Sequence, residues 1–430
     1  MPRSAGRRNA PDVAPTAERG ATTRRRQSRR VGLALAGGGP LGGIYEVGAL
    51  LALADSLDGI DFNDLDTYVG VSSGGFVAAA LANGISPAQM YRLFIDDVGN
   101  ETMSPRVFLR PALGEFWRRL RALPGLSLRA SLRYVRAPMH AGLSESIATL
   151  SRALPVGVFD NAAIDAFLSR LLSAHGRSND FRKLKSKLYL VATNLDTGAP
   201  VVFGSKDHDH VPISRAIGAS SALPGLFPPV EIDGEHYVDG ALNKTLHASV
   251  ALDDGVSLLL CINPLVPYDA RAVPQHARVV NEKLNHGGLP LVLSQTFRAI
   301  IHSRMRGGFE KYRLQYPGAD VVLFEPDRED AQMFFANIFS YRQRKQICAL
   351  AYEKTRRDLA LRKVALEPAF TRHGIALRRE RLADTSRRVG DAVGDPRPLH
   401  VSAEDRTSVR RTARNLERAL DALERYLIGA

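Results

Sequence analysis

Cysteine is scarce in this chain of 430 residues: only Cys261 and Cys348 occur. Cys261 lies in the apolar run Leu258–Ile262 and Cys348 in a stretch of helical character. A disulfide framework is therefore not expected, and a reducing compartment is favoured. Long apolar runs are missing too. Leu289–Ile301 is interrupted by Gln295 and Arg298, and no run reaches the ~18 residues a spanning helix requires. The single tryptophan, Trp117, falls in a basic segment. Acidic residues are depleted in two places. Residues 1–30 hold nine Arg against Asp12 and Glu18, and residues 106–136 hold eight Arg against Glu115 alone. No long repeat is present.

What is there is the balance of apolar and charged residues typical of a globular protein, with a formal net charge of +13. In residues 1–30, Pro, Ser, Thr and Gly separate the charges, which predicts a disordered basic arm. The end of that arm, Ser28-Arg29-Arg30-Val31-Gly32-Leu33, resembles a twin-arginine export signal. The apolar stretch after it contains a glycine turn that cleavage would remove, so a solvated tail is the better reading. In the second basic segment Phe108, Phe116, Trp117, Leu120, Leu123, Leu128, Leu132 and Tyr134 lie among the arginines. Such a segment can rest on an anionic lipid surface, or cap a pocket with its arginines in water.

Short apolar runs ended by turn residues predict strands at Val31–Ala36, Tyr68–Val71, Lys187–Leu195, Pro200–Phe203, Ser257–Ile262 and Val321–Phe324. Helices are expected at Ile44–Leu57, Gly75–Ala82, from Pro87 through Ile95, over residues 161–174, and at Ile213–Ala222. Buried strands alternating with helices predict an α/β fold with a mainly parallel sheet covered on both faces. The expected organisation is an arm over 1–30 and a catalytic domain over 31–330, with an Arg-rich helical insertion at 106–155. A helical extension over 331–383, a linker over 384–407 and an amphipathic helix over 408–430 follow. In that last helix Val409, Ala413, Leu416, Leu420, Leu423 and Leu427 form one stripe, too short for a free coiled coil.

Three turns carry the chemistry. Gly37-Gly38-Gly39-Pro40-Leu41-Gly42 follows the first strand, Gly70-Val71-Ser72-Ser73-Gly74 the second, and Asp239-Gly240-Ala241 follows His236-Tyr237-Val238. The first also fits a dinucleotide fingerprint, but that motif wants an acid at the end of the next strand, where Ser72 stands. Read as a nest of backbone N–H groups at a helix start, it suits an oxyanion, with Gly37, Gly38, Gly39 and Gly42 as its residues. Gly70 and Gly74 frame Ser72 as a nucleophile elbow requires. Asp239 can take the serine proton. Asp-Gly is otherwise a plain turn, the better reading for Asp233, and a turn is likewise the better reading for Asp196 in Asp196-Thr197-Gly198. A histidine triad is the rival, with His247, His236 and His302 as candidates, but none sits in a signature. His208 and His210 lack an evident third ligand, so no metal is expected.

These residues resemble the patatin-like phospholipase family. The three turns match in the family's order. Two further stretches are similar to it, Ala192-Thr193-Asn194-Leu195-Asp196-Thr197-Gly198 and Ala219 through Pro229. The resemblance covers about residues 31–265. It implies a fold related to α/β hydrolases, a Ser72–Asp239 dyad, and lipid acyl-ester hydrolysis through an acyl-enzyme with no obligatory cofactor. The chain departs from the family where Leu41 replaces a frequent Arg or Lys, and where Asn243-Lys244 replaces an Asn pair. The expected protein is a serine lipid acyl hydrolase at the cytoplasmic face of an anionic membrane or lipid droplet. A nicotinamide (NAD(P)) oxidoreductase and a non-catalytic lipid- or nucleic-acid-binding protein are the alternatives. No DNA- or RNA-reading motif accompanies the basic segments, which argues against nucleic acid.

Overall fold

The computed structural model describes residues 29–96, 157–269, 288–329 and 343–394. The expectations for the basic arm (to residue 28), the Arg-rich insertion 106–155 and the last helix 408–430 fall outside the described residues. So do those for 331–342 of the extension and 395–407 of the linker.

Among the described residues the core is an eight-stranded sheet. Its elements in chain order are β1 (Val31–Leu35), α1 (Gly39–Ser56), β2 (Leu57–Asp58), β3 (Thr67–Val71), α2 (Ser73–Ala82) and α3 (Pro87–Phe94). Then come α4 (Ala162–Leu172), β4 (Lys187–Asn194), β5 (Pro200–Phe203), α5 (Ile213–Ser220), β6 (Val230–Ile232) and β7 (Glu235–Asp239). The chain continues with α6 (Ala248–Asp253), β8 (Leu258–Ile262), α7 (Gly288–Gln315), β9 (Asp320–Phe324), α8 (Arg344–Arg372) and β10 (Ala376–Leu377). The main sheet runs β6-β7-β4-β3-β1-β8-β9, with β5 also on β4, while β2 and β10 form a separate pair.

Five adjacent strands, β4-β3-β1-β8-β9, are parallel. β5 and β7 join β4 antiparallel, and β6 joins β7 antiparallel. The α/β class with a mainly parallel sheet is what alternating apolar runs and helices dictate. The pleat splits each central strand between two cores. Leu33 and Leu35 of β1, with Leu258, Leu260 and Ile262 of β8, pack on the face covered by α1, α2, α5 and α8. Ala34, Leu259 and Cys261 point the other way, into a cluster with Leu252 of α6 and Tyr312 of α7. Cys261 and Cys348 thus lie in different cores, and both are free thiols.

Helix α1 starts at Gly39, five residues before the expected start at Ile44. Pro40 fits the first helical turn because its missing N–H would have no intrahelical partner there. The glycine turn is therefore the helix N-terminus itself. Helix α8 packs along α1, with Cys348, Ala351, Tyr352, Leu359 and Phe370 buried in the same core as Leu50 and Leu53. No helix among the described residues is long and apolar enough to cross a membrane.

Candidate active site

Register alone brings the three turns together. β1 pairs in parallel with β3, Leu35 opposite Gly70, so the chain leaves both strands at the same edge of the sheet. β1 is also where the connections diverge, with β3 on one side and β8 on the other. Crevices at such a divergence, outside the carboxyl ends of the strands, are where open α/β sheets bind ligands.

β4 then aligns the serine with its carboxylate. β3 occupies one edge of β4 as far as Val71 opposite Val191. β5 pairs with Leu190 through Thr193 and must lie on the other edge. β7 pairs with Ala192 through Asn194, so it shares the β3 edge and runs towards β3. The two carboxyl ends abut, and Ser72 and Asp239 face each other across the junction. The Ser72 side chain lies close enough to the Asp239 carboxylate to pull its pKa down.

Ser72 has φ 52° and ψ −122°, a strained conformation for a residue with a side chain, as found in nucleophile elbows. It is the N-cap of α2, so the positive end of that helix lies beside its oxygen. The Ser72 N–H donates to Ser220 Oγ at 2.9 Å. Ser220 in turn donates to the Val191 carbonyl at 2.6 Å.

Asp239 is 3% exposed. Burial pushes its carboxyl up to about 6, against the opposing pull of the Ala241 N–H and the Ser72 hydroxyl. The Ala241 N–H donates to its Oδ1 at 2.8 Å. The Asp239 backbone is held as well: its N–H donates to the Ala222 carbonyl at 3.0 Å and its carbonyl accepts from Thr193 Oγ1 at 3.3 Å.

The four glycines of the first turn have different jobs. The Gly37 N–H donates to the Thr245 carbonyl at 3.2 Å and the Gly42 N–H to the Gly38 carbonyl at 3.1 Å. A Cβ on Gly37 would sit 3.1 Å from Ser72 Cβ, so Gly37 is the residue that lets this turn touch the elbow. Gly38 is the N-cap of α1, and Gly39, with φ +64°, is its first residue. No hydrogen bond from the Gly38 or Gly39 N–H occurs among the described residues, as expected at a helix start. Leu41 is 4% exposed and belongs to the core, so it brings no charge to the turn.

Among the described residues no histidine bonds Ser72 or Asp239. His247 is buried at the start of α6; burial, then Lys244, lowers its pKa to about 4, so it is neutral. His236 is 3.9 Å from Asp196. His302 lies on α7, its pKa lowered by burial and by Arg328 and Arg306. His208 lies against the Phe203 ring and His210 bonds Asp233 at 2.9 Å. No group of three potential metal ligands occurs among the described residues. Sequence reasoning gave Ser220 no role. Its only signal was its place in the stretch Ala219 through Pro229, since the contact joins residues 148 positions apart.

A strained serine between strand and helix stands at the carboxyl edge of a largely parallel sheet, and the molecule is an α/β protein. The family model described as patatin-like phospholipase matches residues 33–252, half of the chain, and the chain belongs to that family. An uncharacterized protein of Acanthamoeba polyphaga mimivirus is 24% identical over 230 residues, 53% of this chain and 63% of that protein. Uncharacterized NTE family proteins of Mycobacterium bovis and Mycobacterium tuberculosis are each 26% identical over 246 residues, 57% of this chain and 32% of theirs. The chain thus spans under two thirds of these relatives' length. The crystal structure of VipD from Legionella pneumophila aligns with a TM-score of 0.33 at 16% identity, over 74% of this chain and 67% of that one.

Proposed function

We propose that this chain is a serine lipid acyl hydrolase of the phospholipase A, lysophospholipase or lipase type. The observation that carries it is the junction of β3 and β7 on β4, which sets Ser72 against Asp239 beside the glycine start of α1. Ser72 Oγ attacks the ester carbonyl carbon while its proton passes to Asp239. The carbonyl oxygen becomes an oxyanion, held by the Gly38 and Gly39 amides. Collapse of that intermediate expels the alcohol, which takes the proton from Asp239 and leaves an acyl-Ser72 ester. Asp239 then deprotonates a water, whose attack releases the fatty acid and restores the serine. A carboxylate is a weak base for a serine hydroxyl, so the amide donors carry much of the barrier, at about 3 kcal/mol each.

An apolar rim supports a lipid substrate. Leu195, 50% exposed, follows β4, and Leu242, 41% exposed, follows the Asp239 turn. Asn243 Nδ2 joins the two loops by donating to the Gly198 carbonyl at 3.3 Å. With the Arg-rich sequence of residues 106–136, we assign the substrate to an anionic membrane or lipid-droplet surface.

The test is fluorophosphonate labelling with peptide mapping, then turnover of phospholipid, lysophospholipid and glyceride. Label is expected on Ser72, and Ser72→Ala and Asp239→Asn are expected to lower turnover by roughly 10³-fold or more. Full activity in either variant would remove the mechanism. Cofactor binding without labelling would point to the oxidoreductase alternative instead.

A further inference from the structure

We propose that Ser220 is the positioning residue of the nucleophile, replacing the sheet bond that the elbow breaks. This rests on the acyl hydrolase reading above. In a parallel ladder the N–H that follows Val71 would go to β4. At Ser72 the backbone turns out of the sheet with φ 52°, and that rung opens. The Ser220 hydroxyl fills it, accepting from the Ser72 N–H at 2.9 Å and donating to the Val191 carbonyl at 2.6 Å. Ser220 is fully buried, so water cannot substitute, and only a side chain that accepts once and donates once satisfies both groups.

The same short segment also holds the base. Two residues on, the Ala222 carbonyl accepts from the Asp239 N–H at 3.0 Å. Helix α5 packs against β4, β7 and α2, so its carboxyl end grips both halves of the reactive pair from one rigid piece. Residues 220 to 222 therefore set the separation of the Ser72 and Asp239 side chains. Ser220 itself touches no reacting atom; it acts through the Ser72 backbone.

The experiment compares the full-length protein with Ser220→Ala, Ser220→Thr and Ser220→Cys, using p-nitrophenyl butyrate, with active sites counted by fluorophosphonate titration. Misplacement of a reacting group by an ångström can cost about 100-fold. Ser220→Ala is expected to lower kcat per titrated site by roughly 10- to 100-fold, leave KM nearly unchanged and slow labelling in parallel. Ser220→Thr, which keeps the hydroxyl, is expected to recover most of the rate, with Ser220→Cys in between. A purely structural role would lower the titratable fraction and the melting temperature while kcat per site stayed at the parent value; that outcome overturns the proposal. Should Ser220→Ala not fold, equal kcat per site in the Thr and Cys variants overturns it equally. A parent enzyme that neither turns over the ester nor takes the label would sink the hydrolase reading, and this proposal with it. An active parent with an unaffected Ser220→Ala sinks only the role of Ser220.

Discussion

Val71 and Asp239 occupy consecutive rungs on one edge of β4, Val71 opposite Val191 and Asp239 opposite Ala192. Two strands that approach from opposite directions end there within one residue of each other. The serine one step past Val71 therefore meets the carboxylate at the end of β7. A Cβ on Gly240, the next residue, would collide with the Val191 carbonyl. The glycine of the Asp-Gly pair thus serves the junction sterically, letting the β7 end close onto β4.

The environment of Asp239 makes activity and stability respond to pH in opposite senses. Its folded pKa is raised to about 6 from 3.8, chiefly by burial. The base must be ionised, so kcat/KM is expected to fall about tenfold per pH unit below about 6 and to level off above it. Stability runs the other way. The group's stabilising contribution is complete below the unfolded value and is lost as pH rises through about 6. Asp239→Asn should therefore be inactive, yet more stable than the parent at about pH 8 by on the order of 2–3 kcal/mol, with the gain shrinking towards pH ~4. Urea unfolding at the two pH values, beside a pH–rate profile, checks both signs.

The glycine turn separates two effects that an alanine substitution usually mixes. A Cβ on Gly38 would lie 2.6 Å from Pro264 Cγ and 2.8 Å from Gly42 Cα, whereas one on Gly39 would meet open space. Gly39 instead has φ +64°, where a side chain costs roughly 1–2 kcal/mol. Gly38→Ala is expected to shift the turn and lower kcat by about 10²–10³-fold, the size of losing one oxyanion donor. Gly39→Ala is expected to cost about 1 kcal/mol of stability with a smaller loss of rate. Steady-state kinetics and thermal melts of the two variants distinguish them, and the reverse ranking would assign the donor to Gly39 alone.

The sequence made the elements of this site legible more readily than their support. Val31–Leu35, Thr67–Val71 and Leu258–Ile262 read as buried strands because both faces of each are apolar, and Gly, Ser and Asp at their ends marked the turns. The start of α1 was misread, because glycines with Pro40 carry a turn signature whether or not a helix begins there. The sheet is mainly parallel as expected, and the antiparallel direction of β5 to β7 is set by partners rather than by local pattern. Ser220 was illegible for the same reason: its contact with Ser72 exists only once α5 packs against β4, β7 and α2. Glu46 was also missed; it is fully buried, neither carboxyl oxygen has a hydrogen-bond partner among the described residues, and burial drives its pKa well above the ordinary value.

The last prediction concerns α1 from its other end. Asp55 has a side chain only 2% exposed. It accepts from Tyr352 of α8 at 2.8 Å, from Arg381 at 2.8 Å, and from Arg387 by two bonds of 2.6 Å each. Burial by itself would raise its pKa, but Arg387, Tyr352 and Arg381 outweigh it and hold the carboxyl below its ordinary value. The carboxylate therefore stabilises the fold above the unfolded pKa, and that contribution is lost as pH falls through the lowered folded value. Asp55→Ala leaves two guanidinium groups and a phenol facing an empty socket. Breaking a fully buried pair costs about 3–5 kcal/mol; Arg381 is 44% exposed, which brings the expected loss to about 2 kcal/mol. Because α1 opens at Gly39, loosening its far end should reach the glycine turn only through the body of the helix. The expected variant therefore melts earlier and no longer loses this contribution in acid, while kcat measured well below its melting point stays within about twofold. A tenfold fall in kcat at unchanged stability would show that the grip on Asp55 tunes the turn itself.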